Sequence, residues 1–181
     1  MKQKVTLTIA TISMITLASC GDTKNKQDAK ISSPEEIETK KENTPEIADA
    51  SFSDGMTGKV FHNYQQIRMA LVNSDTEEAN EAARNLAESF TEEREEMKLI
   101  AMAMEETDDI EQQRELFSQL TEKVEPLFKA SISEGAIYKQ FCPMAFDGNG
   151  GYWISNEKEI RNPYYGDKML KCGKVTETIK K

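Results

Sequence analysis

From Val60 onward the chain sets apolar residues at helical spacing: Val60, Tyr64, Ile67 and Leu71 recur at four, three and four residues, the interval that lines one face of an α-helix. The spacing predicts a helix over 57–72. Ser74 and Asp75, followed by Glu77 and Glu78, offer a capping box for a second helix in which Ala79, Ala82, Ala83, Leu86 and Phe90 share a face. Its small Ala residues permit close helix contact. Met97, Ile100, Ala101 and Met104 continue the period, either after a break near Thr91 or as a prolongation of the same helix. Thr107, Asp108 and Asp109 then supply caps and N-terminal acids for the series Ile110, Phe117, Leu120, Val124 and Leu127, which Pro126 is expected to end or kink.

After Ser133 the helical period stops. Residues 135–173 hold six of the nine Gly, and residues 138–165 hold seven of the thirteen aromatic residues. Residues 137–141 and 152–155 read as short strands separated by the turn Asp147-Gly148-Asn149-Gly150-Gly151, and Asn162-Pro163 marks a second turn. The expected fold is mainly α: an antiparallel bundle of three to four helices over about 57–132, with a small C-terminal strand-and-turn cap over about 133–175, in one domain at 55–181.

The segment before it has no such pattern. Residues 20–54 are rich in Lys, Glu, Asp, Ser, Thr and Asn with Pro34 and Pro45, and Ile31, Ile37, Ile47 and Phe52 never recur at a useful period. Such a composition buries too little to hold a fold, so this is expected to be a disordered tether. Residues 1–19 differ again: Lys2 and Lys4 precede an uncharged apolar and hydroxylated run that ends in Leu17-Ala18-Ser19-Cys20. That is the layout of a secretory signal peptide, and the run is shorter than the roughly 20 apolar residues that span a bilayer. Leu-Ala-Ser-Cys resembles the lipobox of bacterial lipoproteins, which implies cleavage before Cys20, a covalent lipid on Cys20 and attachment to a membrane through its acyl chains.

Charge and counting narrow the function. The chain has 23 basic and 32 acidic residues, a formal net charge of −9, and loss of residues 1–19 would remove two lysines and no acid. An acidic chain lacks the attraction that supplies most non-specific nucleic-acid affinity, so no nucleic-acid partner is expected. His62 is the single His, which excludes multi-histidine metal sites and leaves one imidazole for a catalytic triad. It lies beside the Val60, Tyr64 and Ile67 face and reads as a boundary residue. No enzyme activity is expected.

The C-terminal region concentrates soft donors: Cys142-Pro143-Met144 on one side and Met169-Leu170-Lys171-Cys172 on the other. Residues i and i+2 of an extended chain point to one side, as do i and i+3 of a helical turn, so each Cys–Met pair can converge. Thiolate and thioether sulfur favour Cu(I), and thiolates also serve Zn(II). Export would place Cys142 and Cys172 where thiols oxidise, so a disulfide closing this segment stands beside the metal reading, as does a packing role for the Met residues against aromatic rings.

A family resemblance bears on that choice. Tyr138-Lys-Gln-Phe-Cys-Pro-Met-Ala-Phe, Gly151-Tyr-Trp-Ile-Ser, Glu159-Ile-Arg-Asn-Pro-Tyr-Tyr-Gly and Met169-Leu-Lys-Cys-Gly resemble, in order, the signature of the bacterial domain of unknown function numbered 3347. The resemblance covers roughly residues 60–175 and is most specific from 138 to 173. Members of that family occur as small lipoproteins and as a region attached to periplasmic adaptor subunits of heavy-metal efflux systems of the resistance-nodulation-division type, which implies a link to copper or silver. Carried over by position, the resemblance points to Cys142, Met144, Met169 and Cys172 as metal ligands. Cys142-Pro143-Met144 is also similar to the Cys-Pro-Met element of small heavy-metal-binding domains, in which the next residue is usually His; here it is Ala145. The chain is too short to hold the other domains of an adaptor.

The expected protein is thus a lipoprotein of the cell envelope, facing the periplasm or exterior. It would bind Cu(I) or Ag(I) through Cys and Met sulfur and buffer the ion or hand it to heavy-metal efflux components. The alternative is a non-catalytic interaction module with a Cys142–Cys172 disulfide, whose aromatic turn at 162–166 is exposed to dock a partner. Met97, Met102 and Met104 are read as packing residues, Trp153 as buried, and Glu92, Glu93, Glu95 and Glu96 as a solvated face.

Overall fold

The structure, a computed structural model, describes residues 50–181. The expected signal peptide at 1–19, the expected lipidation of Cys20 and the expected tether up to residue 49 lie outside the described residues. A two-residue strand β1 (Ser51–Phe52) leads into four helices, α1 (Gly55–Asn73), α2 (Thr76–Ala87), α3 (Glu95–Glu105) and α4 (Ile110–Ser131), with a 3₁₀ turn at Glu92–Arg94 before α3. Strands β2 (Ile132–Glu134), β3 (Ala136–Cys142) and β4 (Gly151–Ser155) follow, then a 3₁₀ turn at Gly166–Met169 and strand β5 (Lys174–Lys180). The protein is mainly α with two small antiparallel sheets.

Three of the four helices, α1, α2 and α4, begin at a side-chain cap, an Asp in each case. Asp75 accepts the Glu78 N–H at 2.9 Å and Asp109 accepts the Glu111 N–H at 2.9 Å, satisfying amide groups that have no partner inside the helix. Ser74, one of the two residues expected to cap α2, instead ends α1 in the left-handed conformation at φ 56°. Side-chain bonds link each helix to the next. The amide of Asn63 donates to the Asn85 carbonyl and Arg84 pairs with Glu105, while Lys123 pairs with Glu96. Each helix after α1 therefore packs against the one before it in the chain. Val60, Tyr64, Ile67, Leu71, Ala79, Ala83, Leu86, Ala101, Met104, Phe117, Leu120 and Val124 are all fully buried, so the apolar period read from the sequence is the core.

Two expectations need correction and one is narrowed. The tether does not run to Asp54: Ser51 and Phe52 pair with Glu134 and Ile132, and the Phe52 ring lies 4.9 Å from that of Phe61. A lone Phe outside any period finds its partner across the chain, which periodicity cannot register. Of the two outcomes expected at Pro126, an end or a kink, the end is excluded, since α4 runs five residues further. Pro126 and Glu122, whose carbonyl loses its amide partner, are both exposed, so water can serve that oxygen while Val124 and Phe128 stay buried. Finally, the strands are more than a small cap. β3 is the centre of a three-stranded sheet in the order β4-β3-β5, and β5 extends to Lys180, beyond the boundary expected near 175. β5 carries alternating Thr and charged residues on an exposed face, too polar to stand out as a strand.

The sheet is fastened to the helices along β4. The buried Tyr64 hydroxyl of α1 accepts the Ile154 N–H at 3.1 Å and bonds the Thr121 hydroxyl at 2.7 Å, while the Gln65 amide donates to the Ile154 carbonyl at 3.1 Å. Burial pushes the Tyr64 phenol well above its ordinary pKa against the opposing pull of the Ile154 and Thr121 contacts, so it stays protonated. The outer edge of β4 is thereby closed, and β3 is held in one register with Cys142 at its far end.

Asp54 offers a direct check on where the ordered chain begins. Its carboxylate accepts the Thr57 N–H at 2.7 Å and the Thr57 hydroxyl at 2.8 Å, and these bonds, the backbone one first, hold its pKa below the usual value. A depressed folded-state pKa contributes stability that is complete above the unfolded value and is lost as pH falls through the folded value. Asp54→Ala is expected to lower the thermal unfolding midpoint at neutral pH, and the gap from the parent should close in acid. A gap independent of pH would contradict this cap.

Candidate functional site

Cys142 is delivered by the last residue of β3, opposite Gly151 of β4, and is fully buried. Cys172 comes from the long connection between β4 and β5, and it is half-buried. That connection has little regular structure, so polar side chains hold it. Asn162, fully buried, donates from its side-chain amide to the Cys172 carbonyl at 2.9 Å and accepts the Tyr164 N–H at 2.8 Å, while its own N–H donates to the Leu170 carbonyl at 2.9 Å. Arg114 of α4 donates to the Pro163 carbonyl at 3.0 Å and to the Ser74 hydroxyl at 3.1 Å, tying the loop to the junction of α1 and α2. Gln140, buried two residues before Cys142, donates to the Glu157 carbonyl at 2.9 Å. Gly173 takes φ +145°, and a Cβ there would stand 2.9 Å from the Phe141 carbonyl and 3.0 Å from the Trp153 ring, so the step after Cys172 demands glycine.

These constraints bring the Cys142 and Cys172 sulfurs to 3.4 Å. A disulfide bond is about 2.05 Å long, so the two are free thiols in hydrogen-bond contact. The Cys142 contact raises the Cys172 thiol above its ordinary pKa, and desolvation adds to the effect. Lys139 and Lys171, the cations nearest in sequence to the two thiols, are engaged by carboxylates: Lys139 pairs with Glu125 at 2.8 Å and Lys171 with Glu159.

Met144 and Met169 are exposed, at 50% and 39% of their surface. Met144 lies in the β3–β4 turn two residues after Cys142, and its carbonyl accepts the Tyr165 hydroxyl at 2.6 Å. The Met169 carbonyl accepts the Cys172 N–H at 2.9 Å, a single turn that places the two residues on one short arc of chain. The thiols are in contact, then, while the two Met side chains are exposed two and three residues away in the chain. Among the described residues no cluster of three or more His, Cys, Asp or Glu is placed to hold a metal.

Other singled-out residues serve the fold. Trp153 and Met104 are fully buried and Met97 is half-buried, whereas Met102, expected to pack, is exposed, as are His62, Glu92, Glu93, Glu95 and Glu96. The turn at 162–166, expected to be an exposed docking surface, is largely buried: Asn162 is fully covered and Tyr164 is 3% exposed. The Tyr164 ring lies 5.0 Å from Phe146, 5.9 Å from Trp153 and 6.2 Å from Phe117, and its hydroxyl donates to the Tyr152 carbonyl. Its aromatic content belongs to the joint between sheet and helices. Arg114, Gln140 and Asn162 are the organising residues that the sequence reading missed. Polar residues at inward positions, such as Gln140 two places before Cys142, were the available signal.

Residues 60–135 match the model of the family described as Protein of unknown function (DUF3347), and over those residues the resemblance to that family is shown. The match runs from within α1 to Gly135, so it falls on the helices and ends before the strands and loop that carry the thiols. No curated protein and no solved structure matches the chain.

Proposed function

We propose that this chain, whose helices carry the DUF3347 domain, is an exported lipoprotein that binds one Cu(I) or Ag(I) through sulfur and buffers it or passes it to heavy-metal efflux components of the cell envelope. Cys142 and Cys172 are the thiolate ligands, and Met144 and Met169 close over the ion as thioether ligands. A lipid on Cys20 holds the protein to a membrane; among the described residues no helix is long and apolar enough to cross one.

One observation carries the reading: two free thiols 3.4 Å apart, one buried and one half-buried, with an exposed Met two or three residues from each. Two sulfurs gripping one ion through bonds of about 2.3 Å at the tetrahedral angle stand about 3.8 Å apart. The pair needs to open by only a few tenths of an ångström. Structural Zn(II) sites take four thiolate, imidazole or carboxylate ligands, whereas two thiolates with thioethers suit a soft monovalent ion.

The test is titration of the reduced protein with Cu(I) against a competing chelator, without oxygen. One tightly held ion per chain is expected, with affinity rising with pH because the Cys172 proton must leave. No binding beyond that of a protein with both cysteines replaced would overturn the reading. The same proximity favours the second reading, a module closed by a Cys142–Cys172 disulfide, since about 1.4 Å of movement would form that bond.

A further inference from the structure

The two thiols touch but are not equivalent. Cys142 ends a central strand, is fully buried and is fixed by its register with Gly151. Cys172 is half-buried in a loop held by side-chain hydrogen bonds, so it is the more exposed of the two residues. Thiol–disulfide exchange needs a nearly linear approach of the attacking sulfur to the sulfur under attack, so access decides which thiol meets an outside partner.

We propose that Cys172 is the entry point for thiol–disulfide exchange with an external disulfide, and that Cys142 is the resolving thiol that closes an internal disulfide and shuts the site to metal. The step balances. The Cys172 thiolate attacks one sulfur of a disulfide X–S–S–X, forming a mixed disulfide on Cys172 and releasing X–S⁻, which takes a proton. The Cys142 thiolate then attacks the Cys172 sulfur and displaces the second X–S⁻. Two electrons pass from the protein dithiol to the external disulfide, giving the Cys142–Cys172 bond and two XSH. Reduction runs the same path in reverse: an incoming thiolate attacks Cys172, and Cys142 leaves.

The geometry meets each requirement. The sulfurs are already in contact, and Cys172 lies on the connection between strands whereas Cys142 is paired within the sheet. A disulfide consumes both thiolate ligands, leaving only the two thioethers. The closing chemistry does not depend on metal binding; the gating half rests on the reading proposed above.

Glutathione disulfide is the probe, with intact-mass readout on the folded protein. The parent should pass to an internal disulfide, with little mixed species retained. Cys142→Ser should accumulate one stable glutathione adduct, on Cys172, whereas Cys172→Ser should stay unmodified until unfolded by denaturant. An adduct on Cys142 forming in folded Cys172→Ser as fast as on Cys172 in Cys142→Ser would overturn the assignment, as would a parent that stops at the mixed disulfide. Ag(I) titration of the reduced and oxidised forms then tests the gate. Strong binding by the reduced form only supports it, and equal strong binding by both contradicts it. Weak binding by both forms defeats the metal reading and its gate while leaving the exchange order to stand or fall on the mass data.

Discussion

Replacing Cys172 with Ser is expected to weaken Cu(I) binding by more than a hundredfold in the chelator competition, because outer-shell changes alone cost about 10–100-fold in metal sites and this removes a direct ligand. Cys142→Ser should lose at least as much. It also buries a hydroxyl beside the sheet, and an unsatisfied buried group costs about 1–3 kcal/mol of stability, so its unfolding midpoint should fall as well. Cys172→Ser, at the half-buried position, separates ligand loss from that structural cost. Met144→Leu and Met169→Leu keep volume and remove the donor at exposed positions, so they should leave stability nearly unchanged while weakening binding less than either Cys variant. Unchanged affinity in both Cys variants would remove the site.

The second large effect is on folding. Phe117 is fully buried where helices and sheet meet, its ring stacked 4.9 Å from that of Tyr64 and tilted against that of Tyr164 at 6.2 Å. Phe117→Ala should cost about 3–5 kcal/mol, the transfer of the ring plus the cavity that its neighbours cannot fill. Urea unfolding of the domain measures it. A cost below about 1 kcal/mol would mean that the joint collapses freely, so that Tyr64 and Tyr164 do not depend on that ring for their place.

Why the helices were legible and the site only half so follows from the same contacts. Helix faces write themselves into sequence because burial repeats every three or four residues, and Val60, Tyr64, Ile67 and Leu71 obey that rule. Asp75 and Asp109 mark two starts by local hydrogen bonds. Phe52 and the β5 strand were missed because their stabilising partners are distant in sequence: Phe61 and Phe128 for the ring, β3 for the strand. Pro126 left the end of α4 open in the sequence because the cost of its missing N–H depends on which face it occupies. At the sulfur site, the residue types were legible and the encounter of Cys142 with Cys172 was not, since it rests on Asn162, Arg114 and Gln140 holding a loop in place. The same long-range packing turned Tyr164 inward and removed the expected docking turn.

X-ray absorption at the copper edge, on reduced protein loaded with one equivalent of Cu(I), counts the atoms bound to the ion. The account predicts sulfur alone in the first shell, with the sulfur count falling in Cys172→Ser. A first shell of nitrogen or oxygen, or one unchanged by that substitution, would contradict it.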